Sequence, residues 1–325
     1  CVAFFLLSFF DWRPLRKTGV IISIFGISLL SLLLLFVLGN ISKGAMSWFR
    51  IGTFSIQPAD PAKLALILLL AKYFTRRHIE IRNIRHIFVS GFYAGIICLL
   101  VLLQPDFGSA IILFFIWLGM VLVSGISKKH LLAVFTVGLI AFIVLWFGVF
   151  KTYQKERIIN FIHPLADIRG SGYNANQSTI AVGSGKVLGK GIGYGTQSKL
   201  QFLPEYQTDF IFAAFAVEWG FTGVIILFLL FGILIWRILL NAFYGATNFE
   251  ILFGMGVAIL FIIHFIVNIG MNIGLLPVTG VTVPFMSYGG SHLLTEFTAL
   301  GILMGMRSYR RTAHKDATKN EMIEV

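Results

Sequence analysis

Residues 20–38 carry no charged side chain, and apolar runs of this kind recur along the whole chain, which constrains the fold more than any other feature. About 20 apolar residues, at 1.5 Å of helical rise each, cross the roughly 30 Å hydrocarbon layer of a bilayer. Further runs fall at about 61–74, 87–103, 110–123, 131–150, 209–240, 251–274 and 292–306. Of the 325 residues 57% are hydrophobic and only 12% are charged, more apolar surface than a water-soluble domain of this length can bury. The expected fold is an all-α polytopic membrane protein with about nine spans and one long polar loop, 151–208. Residues 1–10 are apolar over roughly 15 Å, half a bilayer, and read as the remainder of a first span whose beginning lies outside this sequence. No signal peptide can be read from such a start.

Charge assigns the sides. Of the 26 Lys and Arg residues, 16 fall in one alternating set of turns and tail (13–17, 72–85, 128–129, 237 and 307–319), against Lys43, Arg50 and Lys63 in the opposite short loops. The first set is expected to be cytoplasmic, with the C-terminal tail 307–325. The remaining seven lie in the long loop, which is exempt from that rule and is expected outside. The net charge of +12 therefore reflects topology, and no nucleic-acid partner is expected. A basic external surface suits anionic lipid headgroups, and equally describes an ordinary solvated loop. Two cysteines, Cys1 and Cys98, give no disulfide framework, and the seven scattered histidines have no ligand spacing, so no metal site is expected.

The residues that could carry chemistry gather on the external side. The stretch LQFLPEYQTDF (200–210) closes the long loop and opens a long apolar helix, with Asp209 at the seam. A carboxylate there has lost part of its hydration and can act as a base, while a plain helix cap by Thr208 or Asp209 answers the same pattern. Asp60 and Lys63 stand one turn apart and can pair, with Asp60 as a cap ahead of Pro61. Asp106 falls in the tight turn QPDFGS (104–109). Glu218 lies about 13 Å beyond Asp209 along the helix, which places it well inside the bilayer. Glu296 is just inside the last span. Intramembrane carboxylates either serve function or pair to hold a bundle. Asn268 and Asn272 share a helix face and suit interhelical hydrogen bonds. The glycine-rich run GSGKVLGKGIGYG (183–195) lacks the spacing of a phosphate loop, so nucleotide binding is excluded. Its amides could still cradle a diphosphate beside Lys186 and Lys190.

Several segments together resemble the SEDS family (shape, elongation, division and sporulation) of bacterial peptidoglycan polymerases, across nearly the whole chain. They are SKGAMSW (42–48), QPADPAK (57–63), QPDFGSA (104–110), YQKER (153–157), GYNANQSTIAVGSGKVLGKG (172–191), GTQS (195–198), FLPEYQTDFIF (202–212) and PFMSYGGS (284–291). GTQS and IAVGSG are closer to the elongation member than to the division member. The resemblance implies a single membrane domain over 1–325, with ten spans in the intact fold and both termini cytoplasmic. It implies glycosyl transfer on the outer face of the bacterial plasma membrane, from a glycan on undecaprenyl diphosphate to lipid II, with a class B penicillin-binding protein as partner. Asp209 matches the family's essential aspartate and would be the catalytic base. Lys63, Arg157 and Lys190 would neutralise the diphosphate, and Trp48, Asp106, Gln197, Glu205 and Ser287 are the further substrate-binding candidates. No cofactor is firmly implied, and a divalent cation, Mg or Mn, stays open. The chain departs from the family pattern at Ser47, Ala59–Asp60, Lys186, Gln207 and Val217, none of which removes the base.

Two other functions compete. A flippase for lipid-linked precursors would rely on Glu218 and Glu296 and on internal repeats, which are not visible. A different lipid-linked sugar transferase would share the long external loop but not FLPEYQTDF and SYGGS.

Overall fold

The computed structural model describes residues 2–42, 45–52, 54–77, 84–148, 150, 152–163, 171–195, 203 and 205–321. Eleven helices account for most of them: α1 Val2–Ser8, α2 Thr18–Leu38, α3 Ala59–Arg77, α4 Ile84–Leu103, α5 Phe107–Val123, α6 Lys128–Gly148, α7 Thr152–Ile162, α8 Ser171–Ser184, α9 Ile211–Phe243, α10 Asn248–Asn272 and α11 Gly290–Glu321. Each expected span coincides with a helix. Five of them (α2, α4, α6, α9 and α10) are long and apolar enough by themselves to cross a membrane, and α5 is a shorter apolar helix. Between α2 and α3 three short antiparallel strands, β1 Asn40–Ser42, β2 Ala45–Ile51 and β3 Phe54–Ile56, fill what reads in the sequence as a plain polar loop.

The chain divides into two compact units. The first comprises 1–126, 235–261 and 290–325. Its centre is α3, whose Leu66, Ile67 and Leu70 are fully buried, as are Ile112 and Ile116 of α5, against which α3 packs. By contrast α2 turns Ile27, Val37 and Leu38 outward, the pattern of a helix that faces lipid. Helix α3 begins at Ala59, two residues ahead of Pro61, so Asp60 lies within the first turn and does not precede it. Proline fits there because the first N–H groups of a helix need no intrahelical partner. Asp106 is the cap of α5, its Oδ1 accepting from the Ser109 N–H at 3.0 Å.

The second unit comprises 127–234 and 262–289. One cluster joins Ala181, Leu203, Phe210, Ala213 and Val217. Another joins Phe212, Phe265, Ile269 and Val283, with Phe231 stacked on Phe265 at 3.8 Å between ring centres. The stretch expected as an unbroken loop contains α7 and α8, which pack on each other. On α7 the polar Gln154 and Asn160 are buried, while Ile159 and Ile162 point outward.

Helix α9 is not continuous. Gly220 has φ 64° and ψ −168°, which splits it into 211–219 and 221–243. The broken ends are satisfied by the glycine-rich run. The N–H groups of Lys190 and Gly191 donate to the carbonyls of Val217 and Glu218 at 2.9 and 3.0 Å. Those of Phe221 and Thr222 donate to the carbonyls of Lys186 and Val187 at 2.9 and 3.0 Å. A Cβ at Gly220 would lie 2.2 Å from the Gly189 nitrogen, and one at Gly189 would lie 2.1 Å from the Glu218 oxygen, so both positions require glycine. The 221–243 segment is about 34 Å long, enough by length to cross a bilayer. Glu218 lies on the short 211–219 piece, two residues before the break.

Candidate active site

Asp209 ends a tight turn just before α9. Glu205 opens the turn with φ 57°, and its carbonyl accepts from the N–H groups of Thr208 and Phe210 at 3.1 and 3.2 Å. The Thr208 hydroxyl donates to the Glu205 carboxylate at 3.0 Å. Three consecutive carbonyls are then held from outside the turn. That of Gln207 accepts from the Tyr288 N–H at 2.9 Å. That of Thr208 accepts from the Ser287 hydroxyl at 2.8 Å. That of Asp209 accepts from the side-chain amides of Asn268 at 2.9 Å and Asn272 at 3.1 Å. Asn268 and Asn272 are fully buried on α10, one turn apart, and Asn272 Nδ2 also donates to Asn268 Oδ1 at 3.0 Å.

Asn272 also works at the start of α9. Its Oδ1 accepts from the Ala213 N–H at 3.2 Å, one of the helix-start donors that a cap would otherwise serve, and from the Ser178 hydroxyl of α8 at 3.0 Å. Asn268, Asn272, Ser287 and the Tyr288 N–H thus fix the Asp209 segment by its backbone. None of these bonds draws on the Asp209 carboxylate, which is half-buried.

The loop after α10 passes this carboxylate. A Cβ at Gly280, whose φ is 74°, would stand 3.5 Å from Asp209 Oδ2, so glycine brings the backbone alongside the acid. The preceding residue, Thr279, offers its carbonyl to the Arg157 guanidinium at 3.5 Å. The same loop forms one wall of a cavity of about 260 Å³. Arg157 and Asn160 of α7, Asn176 and Thr179 of α8, and the apolar Leu276 and Pro277 line it. A small cavity with a cation, two amides and a hydroxyl against an apolar wall suits one sugar-sized polar group.

The structure therefore brings Asp209, Arg157, Glu205, Ser287, Asn268 and Asn272 into one unit, with Lys190 and Glu218 at the α9 break. Ser287 is buried on the Thr208 carbonyl, a placement that positions the turn. Lys190 is exposed, and its N–H and that of Gly191 are committed to the broken helix. Gln197 lies outside the described residues.

The first unit holds the other expected residues. Lys63 Nζ lies 3.0 Å from Asp60 Oδ1, with both side chains about 5% exposed or less. His292 Nδ1 is 3.6 Å from Asp60 Oδ1, and its Nε2 is 2.8 Å from Glu296 Oε1. Two acids and two bases thus form one buried cluster at the starts of α3 and α11. Asp106 Oδ2 accepts from the Gln57 amide at 2.8 Å, and Trp48 is half-buried on β2 opposite Asn40. Sequence reasoning missed His292, although its four-residue spacing from Glu296 was available as a signal. It also missed Ser178 and Gly280, for which only the tertiary contacts speak.

A bundle of long apolar helices with a carboxylate anchored at a helix mouth defines a polytopic membrane protein with a half-buried acid site. The family model described as cell cycle protein, covering FtsW, RodA and SpoVE, matches residues 1–312, and the chain belongs to that family of bacterial membrane proteins. The peptidoglycan glycosyltransferase MrdB of Escherichia coli is 39% identical over 278 residues, 85% of this chain and 75% of the relative. A probable peptidoglycan glycosyltransferase FtsW of Wigglesworthia glossinidia brevipalpis is 38% identical over 86% of this chain and 73% of its own. Stage V sporulation protein E of Bacillus subtilis is 36% identical over 95% and 83%. Among solved structures, a chain of a peptidoglycan synthase complex that coordinates polymerization and crosslinking is similar with TM-score 0.80 and 32% identity, over 94% of this chain and 85% of that one. RodA of Thermus thermophilus is similar with TM-score 0.68 and 30% identity, over 94% and 83%.

Proposed function

We infer that this protein is a peptidoglycan glycosyltransferase that polymerises lipid II, with Asp209 as its general base. Relatives of 38 and 39% identity, each named for that activity, support the reaction class. The observation that carries the role of Asp209 is the backbone clamp on residues 207–209, which holds a half-buried acid in place at the mouth of α9. In the reaction Asp209 takes the proton from the 4-hydroxyl of the acceptor GlcNAc as that oxygen attacks the anomeric carbon of the donor MurNAc. The bond from that carbon to the diphosphate oxygen breaks, undecaprenyl diphosphate leaves with the electron pair, and the configuration inverts. Diphosphate is a good leaving group, so one carboxylate suffices where hydrolysis of an ordinary glycoside needs two.

Arg157 and Lys190 are the basic residues of the same unit proposed to answer the diphosphate charge. The cavity beside Arg157 supports this for the first, with Asn160, Asn176 and Thr179 as partners for a sugar. Lys63 could serve only by leaving Asp60, its present partner at 3.0 Å. Ser287, Asn268 and Asn272 are positioning residues for Asp209. We place the site on the outer face, with the C-terminus in the cytoplasm, on the distribution of basic residues. A class B penicillin-binding protein is the proposed partner, because a similar chain works in a complex that couples polymerization to crosslinking. The assignment to elongation rests on GTQS and IAVGSG, since the identities to MrdB and FtsW are nearly equal.

The buried cluster of Asp60, Lys63, His292 and Glu296 favours one second reading, a flippase that moves lipid II by rearranging intramembrane charge. One experiment separates the two. The purified protein with its partner is given fluorescent lipid II, and wild type is compared with Asp209→Asn at equal amounts. Removal of a general base should lower the rate about 10²–10⁴-fold. Glycan ladders from both proteins would refute Asp209 as the base. Ladders from neither, with lipid II crossing liposomes, would favour the flippase.

A further inference from the structure

Among the described residues, the joint at Gly220 presents an apolar outer surface. Around it the chain exposes Val187 at 63%, Leu188 at 81%, Ile192 at 69% and Tyr194 at 70%. From the helix side Trp219 and Phe221 are exposed at 45 and 61%. These residues lie on the two partners of one hydrogen-bonded joint, since Phe221 and Thr222 donate to Lys186 and Val187. Lys186 and Lys190, both exposed, flank the apolar tip. A loop tip this apolar is not built for water.

The surface is continuous with a known environment. Beyond Phe221 the spanning segment turns Ile226, Leu229, Leu230 and Ile233 outward, a face that in a membrane protein meets lipid. The joint sits at the first residues of that segment, where hydrocarbon gives way to headgroups. Its composition matches the depth, because tryptophan and tyrosine concentrate at the membrane interface and lysine reaches anionic headgroups from an apolar base.

We propose that the 185–194 loop is an interfacial anchor, seated among the headgroups and upper acyl chains of the leaflet at the Phe221 end of the span. Its partner is the bilayer surface. The anchor has a consequence for the site, which rests on the reading of Asp209 as the base. Through Val217 and Glu218 the loop holds the 211–219 helix, and Asp209 stands two residues before that helix. The carboxylate is thereby held at a set height above the bilayer, where a lipid-borne diphosphate also lies. The loop's glycines are explained by the same geometry: they admit the broken helix, and the apolar residues between them meet lipid.

The test reads the environment of the loop directly and does not depend on activity. Leu188→Cys, in the full chain with Cys1→Ser and Cys98→Ser, is labelled with an environment-sensitive fluorophore and reconstituted into vesicles of phosphatidylethanolamine and phosphatidylglycerol. A label at Leu230→Cys, on the lipid face of the span, is the positive reference. We expect nitroxide lipids with a shallow spin label to quench the Leu188 position at least two-fold more than deep-label lipids do, with aqueous iodide nearly ineffective. Full quenching by iodide and none by nitroxide lipids would overturn the anchor. Protection from iodide that arises only after the penicillin-binding protein is added would also overturn it, in favour of a protein-docking face. Because Leu188 is 81% exposed, its replacement removes no packing. Glycan ladders from Asp209→Asn, together with a quenched label at Leu188, would sink the reading of Asp209 and leave the anchor standing.

Discussion

Asp60 and Asp209 both stand at the mouths of apolar helices, and the protein handles them in opposite ways. Asp60 is 3% exposed, and charge holds it: Lys63 at 3.0 Å and His292 at 3.6 Å act on its carboxylate, and Glu296 closes the cluster from the far side of His292. Asp209 is half-buried, and neutral groups hold its backbone: two asparagine amides act on its carbonyl, and a serine and a backbone N–H act on the two carbonyls before it. The first arrangement consumes the carboxylate to join α3 to α11. The second fixes the residue by its backbone. A residue type alone does not separate a lock from a base, but the atoms to which its neighbours bond do.

The strongest test of this contrast breaks the charged lock. Lys63→Met takes from the buried Asp60 its nearer partner and leaves only the more distant His292 contact among the ion pairs described, and loss of one partner of a buried pair costs about 3–5 kcal/mol. Asp60→Leu with Lys63→Met removes both charges and should recover most of that loss. Thermal melts of the three proteins in one detergent would show it. If the double variant is as unstable as the single one, the pair does more than join two helices, and a role for Lys63 at the diphosphate gains support.

A smaller effect is expected in the neutral clamp. Asn268→Ala removes one of the two amides on the Asp209 carbonyl and the donor to the Val281 carbonyl at 2.6 Å. Each buried acceptor left without a partner costs about 1–3 kcal/mol. If the clamp positions the base, kcat for lipid II should fall by about ten-fold, equivalent to roughly 1.4 kcal/mol, while KM stays within two-fold of wild type. A rise in KM at constant kcat would mean that Asn268 touches substrate and does not position Asp209.

The same contrast explains what the sequence could disclose. The spans were legible because a bilayer demands long apolar runs, so α2, α4, α6 and α10 stand almost where the runs do. Asp209 was legible by its seam and by its resemblance to a family motif. Helices α7 and α8 were not, because eleven residues of mixed polarity and a Gly/Asn/Ser-rich segment carry little helical propensity of their own. Nor was the α9 break, since Trp219–Gly220–Phe221 lies inside an apolar run and the reason for the break is a loop some thirty residues earlier in the chain. The two cradles were half-legible. Asp60 with Lys63 and Asn268 with Asn272 show helical spacing, but which carbonyl the amides serve depends on the folded chain.

A third carboxylate supplies the lower limit of the comparison. Asp11 lies between α1 and α2 with its Oδ2 at 2.8 Å from Arg13 Nε, in contact with water. The Arg13 backbone N–H, chiefly, and then the Arg13 guanidinium hold its carboxyl below the ordinary value of 3.8. A depressed folded value means that any contribution to stability is present above pH 3.8 and is lost as the pH falls further, through the folded value. Solvent screening makes that contribution small. Asp11→Asn is therefore expected to melt with wild type at pH 7, and any residual difference should shrink as the pH falls below 3.8. A clear drop at pH 7 that does not shrink as the pH falls below 3.8 would show that the side chain matters by shape and not by charge. Geometry as good as that of the Asp60 pair would then be shown to count for little without burial, which is the condition that separates a lock from a surface contact.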